Sequence, residues 1–483
     1  MATPKRLSQE AGQPPYEVPL TGGRIMELTA NIRTVYEEEC PRLTDDQALL
    51  EAARCLECGR DGRPAPCIEA CPTHIDIPGF IRAIREGDPL TSARIIFEAN
   101  VLGGTCARVC PVEVLCEGAC VLTHEKRRPV AIGRLQRYAT DAALDAGVEL
   151  LPCIRRVRQP LSVGVVGAGP AGLACAAELA RLGHKVVVYE AAPHPGGLVI
   201  SAIAPYKQMV DPIPQEVEAI HRLGVTFRFN TQIGRDLSLA DLEARHDALF
   251  LGVGMDGDMP LELEGVDLEG VWPSLRFIER IKAKNPPPIG DRVVVIGGGN
   301  TAIDVAREAV RLGARHVTVL YRRTEAEMPA FRHEVEASYE EGVQFEWLTM
   351  PVRLLGEVRV AGVECVRTRL VPDPSGGRPR PQVVEGTEFV VPADTVVFAI
   401  GQQSRTDLLT GLQGLRLERG RVWVDENFRT SHPRVFAGGD CVNGGGTVVE
   451  AVQQGKLAAR AIDRFIKPRL NVASPVTDGK EEG

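Results

Sequence analysis

The chain has no run of about 18 consecutive apolar residues, so it offers no segment long enough to cross a bilayer as a helix. It also lacks an excess of positive charge: 56 Lys and Arg stand against 64 Asp and Glu, a net charge of −8. That balance argues against nucleic acid as the main partner, because a phosphate backbone needs clustered cations. Lys5 and Arg6 are followed by no apolar stretch, so residues 1–23 do not read as a secretory leader and a cytoplasmic protein is expected. At 483 residues the chain is too long for one compact core, and about three domains are expected.

Cysteine is where the composition departs from the ordinary. Eight of the 13 cysteines fall between Cys55 and Cys120. They come as four short groups: Cys55 with Cys58, Cys67 with Cys71, Cys106 with Cys110, and Cys116 with Cys120. Disulfides suit small secreted domains, not a chain of this size without a leader. Buried structural thiols scatter rather than bunch, and a redox CxxC would account only for Cys55 and Cys58. Structural zinc could use the eight thiolates four at a time. Iron–sulfur clusters explain more. Soft thiolates suit them, and a Cys-Pro step marks segments in which the last Cys serves the other cluster. Both Cys71-Pro72 and Cys110-Pro111 have that step. Apolar residues at helical spacing from Ile75 and again from Ser92 predict a small helical domain around the cysteine loops.

After the basic stretch at Arg155–Pro160 comes a β-branched strand that runs into Gly167-x-Gly169-x-x-Gly172, an Ala/Leu-rich helix, and a second strand ending at Glu190. Gly167 suits a tight turn, Gly169 lets backbone approach a pyrophosphate, and Gly172 permits close helix–strand packing. The helix N-terminus presents free N–H groups to the anion. Glu190 is placed for a ribose hydroxyl, which predicts FAD. The pattern then repeats with Gly297-x-Gly299-x-x-Ala302. Here the second strand ends in Arg322-Arg323 instead of an acid, a preference for the 2′-phosphate of NADPH, with NADH also possible. Asp394–Gln402 reads as a strand returning between the two folds. Near the end, Val435–Gly446 reads as a strand and an Asp-bearing, Gly-rich turn. It places Asp440 for the FAD ribityl or phosphate, and a helix N-terminus near Thr447 at the flavin ring. The nucleotide-binding candidates are therefore Gly167, Gly169, Pro170, Ala171, Gly172, Glu190, Gly197, Leu198, Gly439, Asp440, Thr447 and Val448 for FAD. Gly297, Gly299, Asn300, Thr301, Arg322, Arg323 and Gly401 are the candidates for NADPH.

The expected fold is an α-helical N-terminal iron–sulfur domain followed by two Rossmann-like α/β domains. Residues 1–160 form the first, with a mobile Pro/Gly-rich start. The FAD domain takes 161–285 and 392–470, the NAD(P) domain is inserted at 286–391, and 471–483 form a polar tail. A disulfide reductase would need a CxxC beside the flavin, and the thiols beyond Cys120 are isolated.

With the cysteine groups, G167AGPAG, G297GGNTA, Y321RRTEAEMPA and G438GDC in place, the chain resembles the glutamate synthase small-subunit superfamily over about residues 40–470. That superfamily includes the N-terminal half of dihydropyrimidine dehydrogenase and the large subunit of bifurcating ferredoxin:NADP oxidoreductase. The resemblance implies two 4Fe–4S clusters. Spacing alone assigns all eight cysteines, whereas the resemblance leaves Cys106 out and brings Gln136 in. Its ligand sets are Cys55, Cys58, Cys67 and Cys120 for one cluster, and Cys71, Cys110, Cys116 and Gln136 for the other. The Gln at 136 points to the flavin/iron–sulfur subunit of a bacterial dihydropyrimidine dehydrogenase. Such a subunit works in a hetero-oligomer with a partner that holds FMN and the substrate site. The other branches would pair it with a different large acceptor subunit. Two departures stand out: eight residues separate Cys58 from Cys67, where the family has about four. Lys207 stands where many members carry an Arg, and is expected to contact an FAD phosphate. The cofactors carry the chemistry, so no side chain is expected to be catalytic.

Overall fold

The computed structural model describes residues 36–59, 62–151, 160–405, 408 and 414–470. The N-terminal start, the basic stretch before Pro160 and the tail beyond residue 470 lie outside the described residues. The first domain is helical throughout, and its helices start where short polar side chains can cap them. Thr44 and Gln47 form a reciprocal box on helix Asp45–Ala52, Asp76 caps Ile77–Arg85, and Asp88 caps Pro89–Ala99. The apolar period buries Phe80, Ile81, Ile84, Ile96 and Phe97. These residues belong to the same continuous core as Val163, Val165, Leu173 and Ile462 of the nucleotide fold that follows. The iron–sulfur domain is thus built onto the FAD domain.

Two five-stranded parallel sheets follow, and they are copies. In the first, strands Val435–Ala437, Ala248–Leu251, Ser162–Val166, Lys185–Tyr189 and Thr226–Arg228 lie side by side in that order. In the second the order is Val271–Pro273, Thr395–Ala399, Arg292–Gly297, His316–Tyr321 and Gln344–Trp347. The central pair begins at Ser162 opposite Lys185 in one sheet and at Arg292 opposite His316 in the other. The expected strand at 394–402 is present, but it is a central member of the second sheet, paired with Arg292–Gly297 on one side and Val271–Pro273 on the other. The inserted domain therefore extends past residue 391 and starts before 286. The chain crosses between the domains where Met255–Asp258 pairs with Gln402–Ser404. A small antiparallel sheet built on the long strand Val360–Val371 adds to the insert.

The final helix, Val448–Leu470, lies across the helix Pro170–Arg181 that follows the first glycine fingerprint. A Cβ on Gly455 would stand 2.1 Å from the Ala171 carbonyl oxygen, so only glycine permits this crossing.

A buried ionic joint ties the inserted domain to the rest. Arg307, on helix Asn300–Arg311, is buried and pairs with Glu334 and Glu341 of its own domain and with Glu39 of the first domain. The guanidiniums of Arg307 and Arg311 lie 4.3 Å from the ring centre of Tyr206, which comes from the FAD domain. Here the expectation for Lys207 is corrected. Its Nζ lies 2.7 Å from both Asp304 Oδ1 and Glu334 Oε1, so it is committed to carboxylates of the inserted domain and not to a phosphate. Burial alone would raise the Glu334 carboxyl, but Lys207 and Arg307 outweigh it and hold it well below the usual range.

This joint should set acid stability. A carboxyl lowered in the folded state contributes stability that is fully present above its unfolded value and is lost as pH falls below about 4. Arg307→Met strands buried carboxylates and should cost about 3–5 kcal/mol. It should also flatten the acid limb of a stability-versus-pH curve measured by denaturant unfolding.

Candidate functional site

The helical domain gathers its thiols into two cavities. The outer one is lined by Cys55, Cys58, Cys67 and Cys120, with Leu56, Ile77, Ile81 and Val130 among its apolar walls. Cys55 and Cys58 sit on the loop after helix Asp45–Ala52, Cys67 on the short helix Pro66–Glu69, and Cys120 at the start of Val121–His124. Glu57, between the first two, holds a left-handed φ of 50°. It accepts from Arg82 Nε at 2.9 Å and pairs with Arg85, which ties the loop to helix Ile77–Arg85. Glu51 does the same on the other side, accepting from the Ala131 N–H at 2.8 Å and pairing with Arg54 and Arg128. Cys58 and Cys67 reach one cavity in spite of the long segment between them.

The inner cavity is lined by Cys71, Cys106, Cys110, Cys116 and Gln136, together with Val449. Cys106 and Cys110 are one helical turn apart on Gly103–Val109 and its C-cap. Gln136, on helix Ile132–Asp145, is buried, and its Nε2 donates to the Gly103 carbonyl at 2.7 Å. A carbonyl can only accept, so this bond fixes which end of the amide is nitrogen and leaves Oε1 as its acceptor end. Val449 belongs to the first turn of the FAD domain's last helix. The inner cavity therefore lies on the boundary between the two domains, while the outer one is walled by the first domain alone.

Both cavities fit iron–sulfur clusters. Among the described residues every cysteine is a free thiol, and no three His, Cys, Asp or Glu side chains converge on a single-ion distance. The sulfurs ring a space instead of a point. Burial, followed by the neighbouring Cys55 and Cys120 sulfurs, pushes the Cys67 thiol up to about 12. Contact with Cys106 and burial likewise raise Cys110. So many crowded thiols become thiolates together only when a cationic centre compensates them.

The two glycine fingerprints form matching cradles. Gly167 has φ 100°, and a Cβ there would lie 2.4 Å from the Gly252 carbonyl oxygen. Gly297 repeats the approach, 2.3 Å from the Ala399 oxygen. A Cβ on Gly172 would meet the Gly167 oxygen at 2.0 Å, whereas the Ala302 that replaces it in the second copy sits 3.4 Å from the Gly297 position. The middle glycines differ in kind. A Cβ on Gly299 would touch nothing within 4 Å, and one on Gly169 only the Gly197 Cα, at 4.0 Å. They open onto the space before helices Pro170–Arg181 and Asn300–Arg311, whose first turns carry no side-chain cap. Open space in front of free N–H groups suits a pyrophosphate. Pro170 and Ala171, and Asn300 and Thr301, begin these two helices. Gly197 (φ 54°) lies against Gly169, and Leu198 begins the short helix that follows it.

Glu190 ends its strand with Oε2 accepting from the Ala168 N–H at 2.7 Å and Oε1 from the Ala192 N–H at 2.8 Å, beside the fingerprint. Asp440 accepts from the Gly446 N–H at 3.0 Å, and burial raises its carboxyl. Gly439 (φ 78°) leads into it, and Thr447 with Glu450 caps the helix that begins at Val448. Gly401 (φ 124°) accepts from the Met259 N–H at 2.9 Å, where the chain leaves the second sheet. Arg322 and Arg323 follow strand His316–Tyr321, matching the place of Glu190. Sequence reasoning overlooked Gly252 and Gly254, at the same point of the first sheet as Gly401 in the second. The echo of F250LGVG in F398AIG could have found them.

Residues 161–455 match the pyridine nucleotide-disulphide oxidoreductase family, and residues 32–148 match the family described as dihydropyrimidine dehydrogenase domain II, 4Fe-4S cluster. The glutamate synthase (NADPH) small chain of Escherichia coli is 38% identical over 443 residues, covering 88% of this chain and 92% of that one. The NADP(+)-dependent formate dehydrogenase subunit beta of Moorella thermoacetica is 39% identical and covers 86% of this chain and 61% of that one. Among solved structures, Mycobacterium tuberculosis FprA in complex with NADPH superposes with a TM-score of 0.55 at 21% identity, over 65% of this chain and 86% of that one. At that identity the likeness speaks for the fold alone.

The open space at Gly299 gives a test of the second cradle. Gly299→Val adds methyls that meet no protein atom near the Cβ, at an ordinary φ of −91°. The variant should fold and keep its flavin, yet bind NADPH at least about a hundredfold more weakly, as loss of the pyrophosphate contacts implies. Titration calorimetry with NADP+, beside a flavin absorbance spectrum, checks both halves.

Proposed function

We propose, from the premise that this chain belongs to the glutamate synthase small-subunit family, that it is the electron-input subunit of a larger assembly. The chain is an oxidoreductase with an FAD- and NADPH-binding region and a 4Fe–4S domain. FAD and the iron–sulfur centres, when bound, would supply hydride acceptance from NADPH and one-electron transfer onward. What remains for this chain's residues is to hold the groups in line. The one observation that carries the reading is Val449. It joins the helix that closes the FAD domain to the wall of the inner thiol cavity, and Ile77 lines both cavities, which supports a path from the nucleotide folds through the inner cavity to the outer one.

In this reading each cavity takes one cluster. The outer is held by Cys55, Cys58, Cys67 and Cys120, the inner by Cys71, Cys110, Cys116 and the Oε1 of Gln136. Orientation of the Gln136 amide by the Gly103 carbonyl supports the last ligand, and Cys106, in the wall of the same cavity, takes a supporting role. Glu190 takes the ribose of FAD, and Arg322 with Arg323 takes the 2′-phosphate of NADPH. The flavin end is served by Asp440 and the helix start at Thr447.

The final acceptor belongs to a partner. Gln136 favours the FMN subunit of a dihydropyrimidine dehydrogenase as that partner. A second reading, delivery to the large chain of a glutamate synthase, is favoured by 38% identity to the E. coli small chain along most of both sequences. The purified chain should reduce an artificial dye with NADPH while leaving uracil untouched; uracil turnover by this chain alone would sink the subunit reading. Gln136→Ala should change the electron paramagnetic resonance signature of one cluster and spare the other, whereas Cys106→Ala should spare both.

A further inference from the structure

The hairpin that joins strand Val360–Val371 to strand Arg380–Val383 has no part in the reading above. Asp373 organises it. One carboxylate oxygen, Oδ1, accepts from the Ser375 N–H at 2.9 Å, the Ser375 hydroxyl at 2.8 Å and Arg380 Nη2 at 2.8 Å. The Arg380 guanidinium, with Ser375, holds the Asp373 carboxyl down at about 2, so the turn keeps its charge at any working pH. With Arg380 absorbed, the other arginine of the turn, Arg378, faces elsewhere. Its Nη1 donates to the Glu327 carbonyl at 3.3 Å, and Arg323 Nε donates to the carbonyl of Pro379 at 2.9 Å. The Thr368 hydroxyl, on the first strand of the hairpin, donates to the Arg322 carbonyl at 2.9 Å. The hairpin is thus stitched to the segment that follows strand His316–Tyr321.

Arg323 and Arg378 each reach across to the other's segment, with Arg322 exposed beside them, and none of the three forms an ion pair with a described carboxylate. The nearby acids are otherwise engaged. Glu327 accepts from the Thr324 N–H at 3.1 Å and the Thr324 hydroxyl at 2.5 Å, and Glu346 pairs with Arg367. Only Glu325, exposed on the same turn, carries no such partner in this cluster. Three arginines on one edge, with only Glu325 and Glu327 as acids on the adjoining turn, suit an anion with several acceptor oxygens. A phosphomonoester, with about −1.5 to −2 charges and three such oxygens, is that anion.

We propose that Arg378 is a third 2′-phosphate-binding residue and that the Asp373 turn is the device that positions it. The proposal rests on the reading that the second nucleotide fold takes NADPH at Arg322 and Arg323. It adds a specificity determinant on a separate element, more than fifty residues downstream of the strand end where such residues are usually sought.

The test uses the full chain with flavin bound and measures binding of 2′,5′-ADP and 5′-AMP by titration calorimetry. Arg378→Gln should weaken 2′,5′-ADP about tenfold, the loss expected for one charge-assisted hydrogen bond, and leave 5′-AMP within about twofold. Asp373→Ala should move the same ratio in the same direction, since it frees Arg380 and loosens the turn. An equal change in both ligands, or no change, would overturn the proposal. Arg322→Gln/Arg323→Gln separates the two levels. If that double variant lowers the 2′,5′-ADP affinity while Arg378→Gln does not, the hairpin assignment alone fails. If neither changes it, the NADPH reading itself fails.

Discussion

The crossing of helix Val448–Leu470 over helix Pro170–Arg181 is the contact on which the rest of the molecule depends. Gly455 lies so close to the Ala171 carbonyl that any side chain would collide with it. Close packing there has two effects at once. It sets the last helix against the helix that follows Gly169, and it carries Val449 into the wall of the inner thiol cavity. Electron transfer weakens steeply with distance, so centres meant to exchange electrons must be held near one another by something stiff. A shared core that runs from Phe80 in the iron–sulfur domain to Ile462 in this helix supplies that stiffness.

The inserted domain is fastened differently. Its sheet has separate apolar cores, formed around Val295 and Val363, and it meets the other domains through the buried charges around Arg307 and Lys207. Apolar packing is forgiving in direction, whereas a guanidinium ringed by Glu39, Glu334 and Glu341 and laid on Tyr206 accepts one arrangement. The helix so held, Asn300–Arg311, is also the one that follows the second glycine fingerprint with an uncapped first turn. Fixing it from its flank fixes where the proposed NADPH cradle lies, a reason for a charged joint where an apolar one would bind as well.

Much of this was legible beforehand because it is written in short-range patterns. Cys-Pro steps, glycine fingerprints and strand-end charges are constraints of a few residues, and both cradles and both cavities formed from the residues so identified. Lys207 was misread for the opposite reason. Its partners, Asp304 and Glu334, lie about a hundred residues away, and nothing local separates a lysine waiting for a phosphate from one waiting for two carboxylates. The strand Thr395–Ala399 shows a subtler limit. Its sequence revealed a buried strand correctly, but parallel sheets accept a strand from either side of a crossover, so membership in the second sheet became clear only from its pairing with Arg292–Gly297.

Duplication explains why the two nucleotide sites could diverge without disturbing the fold. The residues that shape each cradle, Gly167 and Gly297, answer to carbonyls of their own sheet and cannot change. The residues proposed to choose the ligand stand just past a strand end, where Glu190 bonds backbone N–H groups and Arg322 remains exposed. Substitution there costs no packing. The same freedom let a hairpin from another part of the insert reach the second strand end. There, Thr368 and the Pro379 carbonyl hold the arginine segment in place through backbone and guanidinium contacts that make no demand on the core. In the proposed reading, selectivity for the nucleotide is thereby separated from the stability of the domain that binds it.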